Sequence, residues 1–283
     1  MKILYNYPLS KYNTIHLGGN AKKIMFPENI NDIQSILKSN KKNLIIIGNG
    51  SNIAFKDNNY NGCVIILKYF NRNKIIIENN SVIVGAGVTC SKLAKFLFKN
   101  KVNGFEFLHG IPGTIGGSMF MNAGAFKNEI WDKIDEFKMI NKFGNIRLYK
   151  RNQIKISYRK TFAPVNSYFV EARFKLRLTN NFDKNLLSLY AHQRQTTQPV
   201  NQWSSGCIFK NPSSHMSASN LIEKAGLKSF KIGGIYISKK HSNYFINDGT
   251  GKCSELIALI DLVKRKIKKE CGINLEKEIR IIG

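Results

Sequence analysis

Three stretches of this chain are built to let backbone approach something closely. GNGSN (48–52) follows the apolar run LIII, and GAGVT (85–89) follows VIV. HGIPGTIGGSMFMNAGAF (109–126) sets glycines at 110, 113, 116, 117 and 124 with one proline and, with histidine neutral, no charged residue. Glycine costs backbone entropy, so such density needs a reason. Main-chain N–H groups in glycine turns form nests that hold phosphate oxygens without cationic side chains. Ser51, Asn52, Thr114 and Asn122 add neutral donors. The chemistry this suits is a pyrophosphate joined to a large planar ring, an FAD-like dinucleotide lying across two small α+β lobes. The first two turns begin G-x-G, yet Ile53 and Cys90 stand where a Rossmann fingerprint needs its third glycine. Taken singly, each is a tight turn.

The elements that must carry these turns are legible in outline. LIIIG (44–48) and VIILK (64–68) have the short apolar pattern of buried strands. KIIIE and SVIVG form a hairpin around Asn79-Asn80, and EFKMI and NIRLY form a second around NKFG. KLAKFLFKN (92–100) has helical spacing. From Phe169 to Leu178, Ala172, Phe174, Leu176 and Leu178 alternate with Glu171, Arg173, Lys175 and Arg177, which predicts a half-exposed antiparallel strand. Thr179-Asn180-Asn181 is the best domain boundary; helices are expected beyond it at about 182–195, 217–225 and 254–269. Hairpins mixed with helices give an α+β class rather than regular βαβ alternation.

Composition bounds the function. The 283 residues suffice for two or three domains with real cores. There is no apolar run of about 18 residues, so no membrane partner is expected, and MKILYNYPLS is no secretory signal. The cysteines at 63, 90, 207, 253 and 271 are odd in number and never spaced C-x-x-C. That argues against a disulfide framework or a metal knuckle and for a cytoplasmic setting. A net charge of +26 invites a nucleic-acid partner. The excess is mostly lysine spread evenly along the chain. Its densest run, KRKIKK (264–269), shares a helix with Leu256, Ile257, Ile260, Val263 and Ile267, so the lysines form a solvated face before Gly272. No aromatic stacking array accompanies it, so no nucleic acid is expected; the charge would instead attract polyanionic small molecules.

Eight motifs then appear in order: NTIHLGG (13–19), GNGSN (48–52), GIPGTIGGSMFMNAGAF (110–126), SYRKT (157–161), QPVNQWSSGCIFKNP (198–212), LIEKAGLKSFKIGG (221–234), ISKKHSNYFIN (237–247) and LEKEIRIIG (275–283). From about residue 10 to the C-terminus, this set closely resembles the UDP-N-acetylenolpyruvoylglucosamine reductase family. The resemblance implies a two-lobed FAD-binding fold of the vanillyl-alcohol-oxidase type followed by an α+β substrate-binding domain: lobes at 1–70 and 71–180, substrate domain at 181–283. It implies a cytoplasmic, monomeric flavoprotein that reduces UDP-N-acetylglucosamine-enolpyruvate with NADPH in peptidoglycan synthesis. The implied FAD contacts are Asn13, Thr14, Gly48, Asn49, Gly50, Ser51, Asn52, Gly85, Ala86, Gly87, Gly110, Ile111, Pro112, Gly113, Thr114, Gly116, Gly117, Asn122 and Gly124. The link from Tyr158-Arg159 to the strand at 169 is short, which resembles the shorter type that lacks a tyrosine-bearing loop.

Reducing an enolpyruvyl ether needs hydride at one alkene carbon and a proton at the other. Donors or cations must stabilise the enolate charge on the adjacent carboxylate, and a positioned acid must protonate carbon. By resemblance Arg159 polarises the carboxylate, for which a guanidinium is suited, and Glu278 assists the same group. The family's serine proton donor is replaced by Cys207. A thiol, with a pKa of about 8.5 before the site acts on it, can do the same work. It stays protonated if Glu278 disfavours thiolate and ionises if Arg159 dominates. Tyr158, Arg194, Gln198, Lys210 and Asn211 are the substrate-binding candidates; His241 and Asn243 read as structural. Read apart from the motif, Arg159 is one more surface arginine, Cys207 a small buried cysteine and Glu278 an exposed strand residue. Two other functions compete: another FAD-dependent alcohol or hydroxy-acid oxidoreductase on the same fold, and a non-enzymatic basic nucleic-acid binder. The substrate-half motifs GCIFKNP and LEKEIRIIG weigh against the first, and the lack of an aromatic stacking array against the second.

Overall fold

The computed structural model describes residues 1–39, 43–176 and 182–283. The expected boundary Thr179-Asn180-Asn181, and Arg177 and Leu178 of the alternating strand, lie outside the described residues. Helices and strands are mixed without βαβ regularity, an α+β arrangement. The chain forms two compact units: Met1–Tyr5, Lys23–Asn49 and Gly62–Gln193 make one, and Asn6–Lys22, Gly50–Asn61 and Arg194–Gly283 make the other.

The first unit has two hydrophobic cores. Its smaller sheet includes Leu44–Ile47 paired in parallel with Tyr60–Ile66, in the register Leu44↔Cys63 to Ile47↔Ile66. Helix α1 (Ile30–Ser39) buries Ile33, Ile36 and Leu37 in the core that also takes Cys63, Ile65 and Phe70. The larger sheet is antiparallel, in the order Ile146–Lys150, Ile134–Asn141, Ser167–Lys175, Ser81–Gly85, Ile75–Glu78. Both expected hairpins are here, turning at 79–80 and 142–145. Helix α2 (Cys90–Lys99) is capped by Thr89 Oγ1, which accepts from Lys92 N, and buries Leu93, Ala94 and Leu97. Helix α3 (Ile115–Met121) starts inside the long glycine-rich segment.

Strand Ser167–Lys175 keeps the predicted antiparallel alternation from Ala172 to Lys175, with Ala172 and Phe174 buried and Lys175 exposed, and departs from it at Glu171. It is central in the sheet, with Phe169, Ala172 and Phe174 in one core and Val170 in the other. A bulge between Phe169 and Glu171 resets the alternation. Glu171 is therefore buried, held by Lys74 and by Lys138 at 2.7 Å. Burial would raise its carboxyl; hydrogen bonds from Lys138 and Lys74 overcome that and hold it below its ordinary value.

Helix α4 (Leu186–Thr197) contains the last passage from one unit to the other. In the second unit, α5 (Ala218–Lys224) and α6 (Cys253–Cys271) share a core with the small sheet Lys231–Ile232, Ile235–Ile237, Phe245–Asn247. Strand Arg280–Ile282 pairs in parallel with Ile53–Phe55. Leu256, Ile260, Val263 and Ile267 of α6 face the core, as their spacing predicts, while Arg265, Lys268 and Lys269 are exposed. No helix among the described residues is long and apolar enough to cross a membrane.

Candidate active site

In the first unit the three glycine stretches meet around the start of α3. Ile115 N donates to Val88 O at 2.8 Å, Gly116 N to Ala86 O at 2.9 Å, and Cys90 N to Gly113 O at 2.9 Å. A Cβ on Gly48 would lie 2.5 Å from Thr114 Oγ1, and one on Gly116 would lie 2.9 Å from the Cβ of Ala86. One on Gly87 would lie 2.0 Å from Phe70 O. These glycines are therefore required by close packing of turn on turn. Several amides expected to grip phosphate already donate within the protein: Gly85 to Lys74 O, Ala86 to Val170 O, Ile111 to Leu108 O, Gly113 to Ile111 O, and Gly117 to Thr114 Oγ1. Pro112 has no N–H to give. Two features still suit a large planar cofactor with polar edges. At Gly117 an added Cβ would meet only Thr114 Oγ1, at 3.5 Å, so this turn of α3 faces open space. Asn122 Oδ1 is buried without a hydrogen-bond partner among the described residues.

Arg159 is fixed to the same segment. It occupies the two-residue turn between Ile156–Ser157 and Lys160–Thr161, with φ +54° in the left-handed region that non-glycine residues seldom adopt. Its guanidinium donates to Gly124 O at 3.0 Å and to Asn122 O at 3.4 Å, lies 3.9 Å from Glu129 Oε1, and stacks over the exposed Tyr158 ring. Asn122 Nδ2 bridges Glu129 Oε2 and Ser157 O. Thr161 Oγ1 and Trp131 Nε1 both donate to Met119 O at the end of α3. Strain in the turn is thus held by contacts that aim one cation, 19% exposed, along the glycine-rich strand.

The second unit gathers the other two members of the expected catalytic set. Cys207 pairs with Tyr244 in an antiparallel bridge, and Glu278 N donates to Ile208 O at 2.8 Å. Thiol, carboxylate and the Arg194 guanidinium all act electrostatically on the Tyr244 phenol. Burial and then the negative charge available to Cys207 push that phenol well above its ordinary value; Arg194 pulls it down and Glu278 adds to the rise. Asn243 clamps the thiol strand: Oδ1 accepts from Phe209 N at 2.9 Å, Nδ2 donates to Phe209 O at 2.8 Å, and its carbonyl accepts from Ile208 N. Asn52 Nδ2 donates to Glu278 O at 3.1 Å, so the GNGSN turn braces the carboxylate's backbone. Gly50, with φ +70°, packs on the start of the NTIHLGG loop: a Cβ there would lie 2.1 Å from the O of Tyr12, just before the loop, and 2.7 Å from the Cα of Asn13, and its carbonyl accepts from Thr14 N. Thr14 Oγ1 donates to Ser204 O at 2.6 Å, while Asn13 is spent on Leu9 and Leu17.

Three substrate candidates have protein partners of their own. Lys210 Nζ lies 2.7 Å from Glu276 Oε1, and Asn211 Oδ1 accepts from Ala218 N at the start of α5. Gln198 Oε1 accepts from Tyr244 O–H at 2.7 Å. Tyr244 was not singled out by sequence, although two residues of its motif were. Nothing in its type shows that it is buried opposite a thiol; the polar, aromatic ending of KKHSNYF was the only available signal. Ser205 and Ser242, buried hydroxyls without partners among the described residues, flank the same bridge and were equally silent.

Comparison with known proteins agrees with this layout. Residues 21–148 match the FAD binding domain family, and residues 198–282 match the C-terminal domain of UDP-N-acetylenolpyruvoylglucosamine reductase. The chain is 36% identical to the reductase of that name from Legionella pneumophila (strain Corby), over 99% of this chain and 92% of the relative. It is 32% identical to that of Alkaliphilus oremlandii (strain OhILAs), over 99% of this chain and 93% of the relative. The crystal structure of UDP-N-acetylenolpyruvylglucosamine reductase from Thermus caldophilus matches with a TM-score of 0.83 at 26% identity, covering 100% of this chain and 98% of that one. With this degree of identity along almost its whole length, the chain belongs to the UDP-N-acetylenolpyruvoylglucosamine reductase family.

Proposed function

We propose that the protein is an FAD-dependent oxidoreductase that uses NADPH to reduce the enolpyruvyl ether of UDP-N-acetylglucosamine-enolpyruvate to UDP-N-acetylmuramate, in the cytoplasm and as a monomer. Lobes at 1–70 and 71–180 would serve FAD, and 181–283 the substrate. Family membership supports the reaction, and one local observation supports its chemistry here: Glu278 is registered on Ile208, next to Cys207, beside a shared buried phenol. The glycine turns at 48–52, 85–87 and 110–117 would hold FAD with Thr114, Asn122 and Gly124, largely through shape, since many of their amides are engaged within the protein. When bound, FAD supplies hydride received from NADPH.

The remaining work falls to side chains. Arg159 pairs with the substrate carboxylate through charge-assisted hydrogen bonds that strengthen as enolate charge develops. Cys207 breaks its S–H bond as the new C–H bond forms at the enolate carbon, and the thiolate then recovers a proton from water. Glu278, whose backbone is registered on Ile208, the residue after the thiol, assists the same substrate carboxylate as Arg159. Gln198 and Arg194 contribute donors for the nucleotide.

An anaerobic half-reaction experiment tests this reading. NADPH should bleach the yellow protein, and the enolpyruvyl nucleotide should then restore the colour with formation of UDP-N-acetylmuramate. A reduced flavin that the nucleotide leaves bleached would refute it.

A further inference from the structure

Gln198 lines a cavity of about 500 Å³ in the second unit, together with Ser229, Tyr236, Ser238, Lys239 and Lys240. A primary amide has two opposite ends, an accepting oxygen and a donating NH₂. Which end faces the cavity is settled behind it. Tyr244 O–H donates to Gln198 Oε1 at 2.7 Å, and Tyr244 is 5% exposed. Its bridge with Cys207 sets the two residues directly opposite each other, the arrangement that brings side chains together on one face of a strand pair. The ring also meets His241 edge-on at 4.8 Å. A buried phenol whose surroundings disfavour ionisation remains a donor. The backbone of Gln198 is tied as well, since its N–H donates to Arg194 O at 2.9 Å. On the same wall Lys240 Nζ donates to Gln195 O at 2.6 Å, which adds positive charge at the end of α4.

We infer that Tyr244 is a positioning residue for substrate binding: its buried hydroxyl occupies the amide oxygen of Gln198, so that the N–H donors of that amide serve the cavity and meet acceptor oxygens of the nucleotide. The identity of the ligand rests on the reductase reading above. Without the hydroxyl the amide can turn and present its oxygen to an anion. The thiol and the carboxylate would keep their places, because Asn243 and the Glu278–Ile208 hydrogen bond hold them independently.

Tyr244→Phe keeps the ring and removes the donor. Its KM for the enolpyruvyl nucleotide, and its Kd by calorimetry, should rise about 5-fold, the usual worth of one hydrogen bond. Values of kcat and of the NADPH bleaching rate should stay within about twofold of the parent. Gln198→Ala should weaken binding similarly, and the double variant should be no weaker than Gln198→Ala alone. Gln198→Glu keeps an acceptor for Tyr244 but adds negative charge, so it should bind the nucleotide less well than Gln198→Ala. Parent-like KM in Tyr244→Phe, losses that multiply in the double variant, or Gln198→Glu binding as tightly as Gln198→Ala would each overturn the inference. A nucleotide that binds the parent but is not reduced would instead sink the reductase reading, and the Kd comparison would still judge Tyr244.

Discussion

Cys207 sits half-buried at the point where the thiol strand faces Tyr244, and its neighbours decide what it can do. A thiol held in place there can serve as the proposed proton donor. Cys207→Ala should slow reoxidation of the reduced flavin by the nucleotide by about 100-fold or more, the worth of a positioned general acid. Bleaching by NADPH should be untouched, because that half-reaction needs no proton at carbon. Cys207→Ser should retain measurable turnover. Stopped-flow absorbance separates the half-reactions, and normal rates in both for Cys207→Ala would make the thiol structural. Arg159, Cys207 and Glu278 could be named from their motifs. Tyr244 could not, because its importance lies in which backbone it is paired with across 37 residues of chain, counted from Cys207 to Tyr244.

The second unit depends on elements that borrow their ends from distant sequence. Helix α6 opens on Lys252-Cys253-Ser254, with no side-chain cap of its own at Lys252. Asp57 supplies one from far upstream: its carboxylate accepts from Cys253 N at 2.7 Å and Ser254 N at 2.9 Å, while Glu255 accepts from Lys252 N. Asp57→Ala should lower stability by about 1 kcal/mol in a urea titration. Slight burial raises the Asp57 carboxyl, and the backbone donors of Ser254 and Cys253 outweigh this and lower it. A depressed carboxyl stabilises the fold above its unfolded pKa of about 3.9, and that contribution is lost as pH falls through the lower folded value. The gap between parent and Asp57→Ala should therefore be full at pH 7 and close in that acid range. The helix itself was legible from its apolar spacing; its cap was not, because capping here is a tertiary contact.

At the scale of the whole molecule, 44 basic against 18 acidic residues create a positive field that acts before any contact forms. An anionic nucleotide should be drawn in faster at low salt. Raising NaCl from about 0.05 to about 0.5 M should lower kcat/KM for the enolpyruvyl nucleotide several-fold and leave kcat nearly constant, since screening acts on encounter and not on chemistry. A flat salt profile of kcat/KM would show that the charge is only a surface composition. The α+β class, both hairpins, α2 and the helices of the last hundred residues followed from local pattern. The assembly of the second unit from 6–22, 50–61 and 194–283 did not, because turns and periodicity carry no information about which distant segments share a core.

By itself the sequence determined the local elements, the family and the residue types available for chemistry: side-chain spacing, turn glycines and motif order are written along the chain. Tertiary structure alone decided what those residues touch. It packed the glycines at 48, 87 and 116 so closely against neighbouring turns that no Cβ fits there. It buried Glu171 between two lysines on a strand that alternation had left half exposed. It also set a phenol behind Gln198. The physical reason is common to all three: burial and hydrogen-bond partnership depend on which backbones approach one another, and that choice is made by packing the cores rather than by any single stretch.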